Sequence, residues 1–377
     1  MMNAPKLRFK DESGNNYPEW IRKKLGDIAS FISKKGESIE SCYIGTENMQ
    51  QGGGVKFSGS HKTCRGNIYE CGDVLLSNIR PYLRKIWKAD CYGTCSSDVL
   101  VIRPSNKVLG DFLYFCLNSD VFFDYVSKHA KGTKMPRGDK KSIFKYALEI
   151  PSQREQSKIS FLFTKLEELI KIQQRKLSSF EEIKKGFLQK LFVNLDDGIP
   201  EYRFSEFNDR WQIYSLSEVT QEFQSGQNIK SDQIHQTGLY PVYGGNGIRG
   251  YTSTYNHDGN YAIIGRQGAQ CGNVSFSSGK AFFTEHAVAV KAKEGFSTEF
   301  LVFILRNLNL SNYSDQSAQP GLAVGKLKKL KAKFPCYSEQ LKISDILFKL
   351  EKQIDIIHRE LELLNIVKKA LFQQMFI

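Results

Sequence analysis

The chain has 377 residues, of which 41% are hydrophobic and 25% charged, and its formal net charge is +13. This composition excludes a disordered tail protein, and the length predicts two or three domains. No apolar run approaches the roughly 18 residues needed to cross a bilayer, and the start, MMNAPKLRFKDESG, lacks the apolar core of a signal peptide. We therefore expect a soluble, cytoplasmic protein with no membrane partner.

The basic excess points to a polyanion, either nucleic acid or an acidic membrane face. The net charge is +8 over residues 1–150 (24 basic, 16 acidic) and +4 over 151–193 (9 and 5). It falls to +1 over 194–335 (14 and 13) and to zero over 336–377 (6 and 6). The charge is thus spread over one domain and its adjoining segment.

Residues 1–150 are predicted to form a first mixed α/β domain. The apolar runs DVLLSNI (73–79) and SDVLVI (97–102) favour strands, DFLYFCLNSDVFFDYV (111–126) favours one helix, and a last strand leads to Pro151. Six of the eight cysteines lie in the first third of the chain. No paired CxxC motif accompanies Cys91 and Cys95, so we expect reduced thiols and no metal site.

Residues 151–193 are predicted to form one long helix, without an internal proline and with a capping box of Ser152 and Glu155. The segment 194–200 is a linker. Residues 194–335 then repeat the first pattern, with strands at NYAIIG (260–265) and HAVAVKA (286–292) and a helix at 298–308. A second long helix is expected over residues 336–377.

The two helical segments are copies of one another. Residues 151–193 align with 335–377 without a gap, and 17 of 43 positions are identical at a constant offset of 184. LRF (7–9) with Trp20 resembles YRF (202–204) with Trp211, which extends the duplication into the domains. Elsewhere the two domains differ in sequence.

Each helical copy carries an apolar stripe at steps of three and four, interrupted only at Gln173. A helix of about 42 residues with so narrow a stripe favours a coiled coil, and its simplest partner is the other copy, running antiparallel. The predicted seam comprises Ile159, Leu162, Leu166, Ile170, Gln173, Leu177, Phe180, Ile183, Phe187 and Leu191 in the first copy and Ile343, Ile346, Leu350, Ile354, Ile357, Leu361, Leu364, Val367, Leu371 and Met375 in the second.

This order of domain, long helix, domain, long helix resembles the specificity subunit of type I restriction-modification systems, over essentially the whole chain. The resemblance rests on the Pro-x-x-x-EQ-x-KIS helix starts at Pro151 and Pro335, on the W-x4-L-x-D/E edges, and on YPVYGGNGIRGY at 240–251. It implies an α+β fold: two target recognition domains (1–150 and 194–335) separated by helices (151–193 and 336–377) that form an antiparallel intramolecular coiled coil with a pseudo-twofold repeat.

The resemblance further implies that each domain reads one half of a split target in double-stranded DNA. The helices would set the unread gap and dock two methylation subunits, and restriction subunits would join them. Two dissimilar readers held about 60 Å apart by helices of that length predict an asymmetric target of two short blocks.

Polar and basic residues in glycine-containing loops are the candidate DNA contacts, because Arg can bind guanine and Asn or Gln adenine bidentately. For any one of them, a solvated loop charge or a phosphate contact is the alternative role. The candidates are Thr46, Asn48, Asn78, Arg80, Arg84, Lys85, Lys131, Thr133, Lys134 and Arg137 in the first domain and Asn246, Arg249, Arg266, Gln267 and Gln319 in the second.

Catalytic signatures point away from an enzyme. Gly245–Gly250 matches G-x-G-x-x-G, but the polar, turn-rich TSTYNHDGN follows it where a nucleotide-binding loop would open a helix. The chain has no G-x4-G-K-[ST] motif and no Asn/Asp-Pro-Pro-aromatic run, and Glu285-His286 is read as a structural pair. We expect a non-catalytic chain without a cofactor, whose partners use S-adenosylmethionine, ATP and Mg. A self-sufficient adenine methyltransferase and a coiled-coil adaptor that does not touch DNA stand as alternatives.

Overall fold

The computed structural model describes residues 5–39, 42–57, 62–196, 198–268, 270–314 and 321–376. The chain divides into two compact units, unit 1 with residues 1–174 and 360–377 and unit 2 with residues 175–359. Each unit contains one globular domain and a part of each long helix. The predicted boundaries follow secondary structure, whereas the units follow contacts, so the two divisions cut the chain at different places.

Unit 1 is built around three groups of strands. Its strands are β1 (Ile21–Lys24), β2 (Ala29–Ile32), β3 (Lys35–Ile39), β4 (Tyr43–Ile44), β5 (Thr63–Tyr69), β6 (Val74–Ser77), β7 (Ile86–Lys88), β8 (Gly93–Cys95), β9 (Val99–Pro104) and β10 (Ala147–Ile150). Its helices are α1 (Leu25–Ile28), α2 (Gly110–Leu117), α3 (Asp120–Lys128), α4 (Lys140–Lys145) and the first part of α5 (Gln153–Lys190), with a 3-10 turn at Pro81–Leu83.

One sheet of unit 1 has the order β2-β9-β6-β7 and a second has the order β3-β5-β8-β4, while β1 and β10 form a two-stranded ribbon. The pair β4–β8 is parallel and the other pairs are antiparallel. Sequence prediction of the strands at 73–79 and 97–102 is confirmed by β6 and β9.

Strand β6 begins with three consecutive apolar residues because it is buried on both faces. Val74 and Leu76 join a core with Phe112 and Phe122 of the helices, whereas Leu75, on the opposite face, joins a second core with Trp87. Because successive side chains point to opposite faces, a strand buried on both sides needs apolar residues at every position.

Unit 2 repeats this architecture. Its strands are β11 (Gln212–Ser215), β12 (Thr220–Ser225), β13 (Tyr240–Gly244), β14 (Gly247–Thr252), β15 (His257–Asp258), β16 (Tyr261–Gly265), β17 (Val274–Ser277), β18 (Lys280–Phe283), β19 (Ala287–Ala292) and β20 (Lys331–Phe334). Its helices are α6 (Leu216–Val219), α7 (Thr298–Asn307), α8 (Val324–Lys328) and the first part of α9 (Tyr337–Met375), with 3-10 turns at Ser231–Gln233 and Leu310–Tyr313.

The first sheet is the same in both units and the second is not. The order β12-β19-β16-β17 matches β2-β9-β6-β7 strand for strand, and the ribbon β11–β20 matches β1–β10. In the second sheet of unit 2, β13 pairs in parallel with β18, as β4 does with β8, but the order is β14-β13-β18-β15. The edge strand that differs is β3, beside β5, in unit 1 and β14, beside β13, in unit 2. The extra strand therefore lies at opposite edges of the second sheet: on the β8 side of the parallel pair in unit 1 and on the β13 side in unit 2.

The long helices run antiparallel within each unit, as predicted. In unit 1, Phe163 of α5 meets Phe372 of α9 with ring centroids 5.2 Å apart. One turn further along α5, Glu167 Oε1 accepts a hydrogen bond from Lys368 Nζ at 2.7 Å, one turn back along α9. In unit 2, Lys184 Nζ lies 2.7 Å from Glu351 Oε1.

Glu351 is the central charge of that contact in unit 2, since Arg306 Nη1 of α7 also donates to its Oε1 at 2.7 Å. Burial opposes ionisation of this carboxyl, but the charge of Arg306 and the hydrogen bonds from Lys184 and Arg306 outweigh burial and lower its pKa.

Of the predicted seam residues, Ile159, Leu166, Ile170, Leu191, Ile343, Ile357 and Met375 are buried, and Leu162, Leu177, Ile346, Leu350, Ile354 and Leu361 are among those that are half-buried. The stripe is wrong at two repeat-related positions, because Ile183 and Val367 are each 46% exposed. Phe163 and Leu347, outside the predicted stripe, are fully buried in the cores of units 1 and 2. Each helix therefore buries a domain-facing side besides its seam.

The EQ motif at each helix start anchors the helix to its domain. Glu155 has no exposed side-chain surface and accepts hydrogen bonds from Arg8 Nε (3.1 Å), Arg8 Nη2 (2.8 Å) and Trp20 Nε1 (3.2 Å). In unit 2, the equally buried Glu339 accepts from Nε and Nη2 of Arg203, both at 2.8 Å. The motifs shared by the two copies are thus structural joints.

The neighbouring glutamine completes each joint. Gln156 Oε1 accepts from the backbone N–H of Leu109 at 2.8 Å, and Gln340 Oε1 accepts from that of Ser297 at 2.9 Å. Both amide nitrogens donate to the carbonyl of the proline that precedes the helix, at 2.9 Å. The same pair of side chains therefore fixes the same backbone in both units.

Two local predictions are corrected. The apolar run 111–126 is not one helix, because α2 ends at Leu117 and Ser119 caps the new helix α3, its hydroxyl accepting from Phe122 N–H at 3.1 Å. The capping box of α5 is only half formed: Ser152 Oγ accepts from Glu155 N–H at 3.4 Å, but the Glu155 carboxylate binds Arg8 instead of closing the box.

Candidate nucleic-acid interface

Three loops of unit 1 that the sequence singled out converge at one place. They follow β4, connect β6 to β7, and precede α4. Thr46, Arg80, Lys85 and Met135 line a cavity of about 210 Å³ between these loops. Lys85 Nζ donates to the Thr46 carbonyl at 2.7 Å, and Arg80 N–H donates to the Pro136 carbonyl at 2.8 Å. Residues up to 90 positions apart thus form one site.

The β6–β7 loop has an unusual backbone. Arg80 (φ 49°) and Arg84 (φ 50°) are in the left-handed region on either side of the 3-10 turn Pro81–Leu83. That conformation is costly for a residue with a Cβ, and such strain is concentrated at functional sites. Tyr82, between the two arginines, is 54% exposed.

The basic candidates of unit 1 differ in how their charges are engaged. Arg84 forms ion pairs with Asp120 and with Asp124, the latter at 3.8 Å. Lys131 lies 3.2 Å from Asp139, and Arg137 lies 3.1 Å from Asp98. Exposed side chains include Arg80, Lys131, Thr133, Lys134 and Arg137, whereas Thr46, Asn48, Asn78, Arg84 and Lys85 are half-buried.

The two amide candidates of unit 1 differ in their hydrogen bonding. Asn48 Oδ1 accepts from Gly45 N–H at 2.8 Å and its Nδ2 donates to the Lys56 carbonyl at 3.2 Å. Asn78 Oδ1 is buried and, among the described residues, has no hydrogen-bond partner. An unsatisfied buried acceptor is costly. Asn78 is therefore better placed than Asn48 to accept a hydrogen bond from a ligand after a small movement.

The candidates of unit 2 lie on the corresponding loops. Asn246 and Arg249 are exposed on the β13–β14 hairpin, and Gln267 is exposed on the β16–β17 loop. Gln267 bridges to Gly321, just before α8, as Ile79 bridges to Arg137 before α4. Gln319 lies outside the described residues. The G-x-G-x-x-G run therefore forms a turn and the strand β14.

Arg266 is more structural than the sequence indicated. Its Nη1 donates to Ser225 Oγ at 3.2 Å and its Nε donates to the Leu322 carbonyl at 3.3 Å. The close packing of these loops requires glycine at Gly265, where a Cβ would stand 2.1 Å from the Gly245 carbonyl oxygen. The loops after β13 and after β16 are thereby held in contact.

A fourth loop in each unit was missed. The β8–β9 turn contains Asp98, whose carbonyl accepts from Asn78 N–H at 2.8 Å, and in the β18–β19 turn the His286 carbonyl accepts from Arg266 N–H at 2.9 Å. Glu285 Oε1 lies 3.1 Å from His286 Nε2. The sequence contains no direct signal for these turns, because Asp98 and His286 lie inside the runs SDVLVI and HAVAVKA that predict strands, and the equivalence of β9 and β19 follows from the sheet order.

The three buried thiols, Cys95, Cys116 and Cys271, have raised pKa values. Burial raises the pKa of Cys95 to about 12 and also raises the pKa of Cys116 and Cys271, which keeps these thiols protonated at neutral pH. Within the described ranges, no group of three or more His, Cys, Asp or Glu side chains is arranged to hold a metal ion. The described helices include none both long and apolar enough for a membrane span.

Comparison with known proteins agrees with the sequence resemblance. The model of the type I restriction-modification DNA specificity domain matches residues 17–182 and again 208–365. Because the two matches cover most of the chain, the protein belongs to this family. The two matched ranges correspond to the two copies of the repeat.

Several relatives are specificity subunits. The chain is 43% identical over 141 residues to the EcoprrI specificity subunit of Escherichia coli, covering 36% of this chain and 35% of that protein. It is 26% identical over 246 residues to the MjaVIII specificity subunit of Methanocaldococcus jannaschii, covering 61% and 56%. The chain thus matches about a third to a half of these two relatives. A type I specificity subunit of Mycoplasma genitalium is 23% identical over 99% of this chain and 96% of its own length.

Among solved structures, the S subunit of a type I restriction-modification system from M. genitalium matches with a TM-score of 0.73 and 19% identity. The match covers 100% of this chain and 99% of that one. At this identity, the match supports the fold: two mixed α/β domains with paired long helices.

Proposed function

We propose that this chain is the DNA sequence-recognition subunit of a type I restriction-modification complex and is not itself catalytic. The carrying observation is that the loops chosen separately in each domain occupy equivalent positions of the repeat. In both units, loops follow the first strand of the parallel pair, β4 or β13, and connect the same two strands of the first sheet, β6 to β7 or β16 to β17. Two equivalent loop clusters with different side chains suit two half-sites of different sequence.

The charge distribution supports a division of labour between the two clusters. The first domain carries most of the basic excess and exposes Arg80, Lys134 and Arg137. The second domain is nearly neutral, and its exposed candidates Asn246 and Gln267 suit hydrogen bonding to bases. We expect binding of the first half-site to depend more steeply on salt.

Two equivalent surfaces support two copies of one partner, the methylation subunit. A cavity of about 590 Å³ in unit 1 and one of about 360 Å³ in unit 2 lie on repeat-related parts of the long helices. Their shared lining comprises Asn365, Lys368, Lys369, Phe372 and Gln373 in unit 1 and, at an offset of 184, Glu181, Lys184, Lys185, Leu188 and Gln189 in unit 2. A duplicated surface on one chain fits a partner that binds twice.

Two exposed apolar positions on the helices occur in both copies of the repeat. Ile172 and Val367 belong to unit 1 and correspond to Ile356 and Ile183 of unit 2. All four are between 37% and 58% exposed. Each unit exposes both repeated positions, beside unrepeated apolar residues such as Leu169 and Leu363. We propose that the repeated pair of each unit contributes to the docking of one methylation subunit.

The chemistry of the complex is assigned to the partners. We propose that the methylation subunits use S-adenosylmethionine for adenine methylation and that restriction subunits use ATP and Mg to translocate and cut DNA, in the cytoplasm. These assignments follow the family resemblance.

The decisive experiment is a genome-wide map of adenine methylation in the native cell, by single-molecule sequencing, with this reading frame intact and deleted. The expected result is loss of one split, asymmetric methylation motif. An unchanged map contradicts the proposal. Exchange of one domain separates the adaptor alternative, since an adaptor keeps the motif unchanged, and binding of S-adenosylmethionine by the isolated chain would favour the methyltransferase alternative.

A further inference from the structure

We infer that Asp98 is a positioning residue that orients Arg137 to read a guanine in the first half-site. The inference rests on the proposed function and adds a residue from the β8–β9 turn, which the sequence did not bring to the DNA interface. It follows from how the backbone around these two residues is fixed.

The backbone of Arg137 is held from both sides. Its N–H donates to the Lys131 carbonyl at 2.9 Å, and its carbonyl accepts from Lys131 N–H at 2.8 Å. It also forms a β-bridge with Ile79 of the β6–β7 loop. Its side chain nevertheless remains 57% exposed. A fixed Cα with an exposed guanidinium is the arrangement that a base-reading arginine requires.

The backbone of Asp98 belongs to the same frame. Its carbonyl accepts from Asn78 N–H at 2.8 Å, and the Asn78 carbonyl accepts from Gly138 N–H at 3.0 Å. Gly138 directly follows Arg137. Consecutive hydrogen bonds thus tie the turn of Asp98, the β6–β7 loop and the segment before α4 together, so the carboxylate is held at a defined place beside the arginine.

The ion pair itself leaves the arginine able to bind DNA. Arg137 Nη2 lies 3.1 Å from Asp98 Oδ1, and the guanidinium has further N–H groups for guanine N7 and O6. Arg84, the other paired arginine of this cluster, contacts Asp120 and Asp124 with different nitrogens of its guanidinium and is less exposed. Arg84 is therefore better placed to hold the loops together, and Arg137 is better placed to contact a base.

The equivalent turn in unit 2 is also charged. His286 occupies the place of Asp98. Its carbonyl accepts from the N–H of Arg266, the first residue of the β16–β17 loop, as the Asp98 carbonyl accepts from the N–H of Asn78, the first residue of the β6–β7 loop. Glu285 and His286 contact one another at 3.1 Å. Ionisable side chains therefore stand at the same turn of both recognition domains, which supports a part for this turn in the interface.

The test compares adenine-methylation maps of native cells that carry the full-length chain with Asp98→Asn, Asp98→Glu or Arg137→Ala. The measured quantity is the methylated fraction at sites that differ from the motif by one base. We expect Asp98→Asn to raise methylation about tenfold at sites altered at one G·C position of one half-site. Arg137→Ala should relax the same position at least as much, and Asp98→Glu should restore discrimination.

Glu70→Gln is the matched control, because Glu70 Oε2 also lies 3.1 Å from an arginine, Arg103, elsewhere in the same domain. It should leave every position unchanged. The inference is overturned if Asp98→Asn relaxes no position, relaxes a position other than that of Arg137→Ala, or lowers methylation uniformly at all sites. A wild-type map without a split motif would instead contradict the proposed function.

Discussion

Removal of Arg8 should selectively destabilise unit 1. The arginine is the charge partner of Glu155, a carboxylate with no exposed side-chain surface. The hydrogen bonds from Arg8 to Glu155 also raise the pKa of the arginine, against the effect of burial. Truncation to alanine leaves the carboxylate buried with Trp20 Nε1 as its one remaining side-chain donor among the described residues.

The magnitude follows from the number of donors that remain. Removal of one partner of a buried ion pair costs about 3 to 5 kcal/mol. Trp20 still donates at 3.2 Å after Arg8→Ala, so we expect about 3 kcal/mol. In unit 2, Trp211 Nε1 has no hydrogen-bond partner among the described residues, and Arg203→Ala should cost about 4 to 5 kcal/mol. The cost of removing the arginine therefore differs between the two units by about the free energy of one hydrogen bond to a charged group.

Hydrogen exchange measured by mass spectrometry is the suitable assay, because a protein with two compact units does not unfold in a single two-state step. Peptides covering β6 and β9 report on unit 1, and peptides covering β16 and β19 report on unit 2. Arg8→Ala should lower protection in the first pair and Arg203→Ala in the second. A double change, Arg8→Met with Glu155→Leu, should recover most of the loss, because no buried charge is left unpaired.

The reasoning is refuted if Arg8→Ala lowers the opening free energy of unit 1 by less than about 1 kcal/mol, the value for an exposed ion pair. It is also refuted if both units lose protection equally. If the double variant is no more stable than Arg8→Ala, burial of the unpaired Glu155 carboxylate does not account for the loss of stability.

Four further predictions can be checked separately. Deletion of residues 171–174 from the first long helix should change the number of unread bases between the half-sites, as seen in a methylation map. Both half-sites should stay the same. Altered half-sites would contradict a spacer role of the helices. The double substitution Ile183→Asp with Ile356→Asp should remove one methylation subunit, seen by native mass spectrometry as the loss of one partner mass. The control Ile199→Asp, which replaces an exposed isoleucine of the linker, should leave both subunits bound. Gly265→Ala should relax the second half-site alone, because its Cβ would clash with the Gly245 carbonyl, and a change in the first half-site would argue against separate readers. Because the pKa of Glu351 is lowered in the folded protein, its ionised carboxylate stabilises the fold at pH values above the unfolded pKa near 4.5, and this contribution is lost as the pH falls through the lower folded pKa. In an acid titration, the stability of Glu351→Gln should therefore fall less steeply than that of the wild type. Identical curves would contradict this prediction.

The sequence predicted the parts of the fold that depend on local pattern. The long helices follow from apolar spacing, and β6 and β9 follow from β-branched runs between turns. Contacts between distant residues were not accessible in this way. Glu155 reads as a capping residue because Ser152 lies three positions before it, whereas its partner Arg8 lies 147 positions away.

The candidate interface shows the same division. Glycine-containing loops with Arg, Asn and Gln were found from residue type alone, and the structure brings those of unit 1 together around one cavity. Asp98 was missed because its acidic side chain argues against DNA contact when considered alone. Its role depends on the backbone bond to Asn78, which arises only when β6 and β9 pair. Ile183 and Val367 were assigned to the stripe because periodicity does not reveal which side of a helix meets its domain.

The division of unit 1 between residues 1–174 and 360–377 has a consequence for synthesis. The core around Phe112 and Ile159 also contains Met375, which is translated after all of unit 2. At 5 to 20 residues per second, the intervening 185 residues of 175–359 delay its arrival by on the order of 10 to 40 s. During that time the first domain leaves the ribosome with part of its apolar surface uncovered. A premature stop near residue 360 should therefore damage the domain made first and spare the one made last.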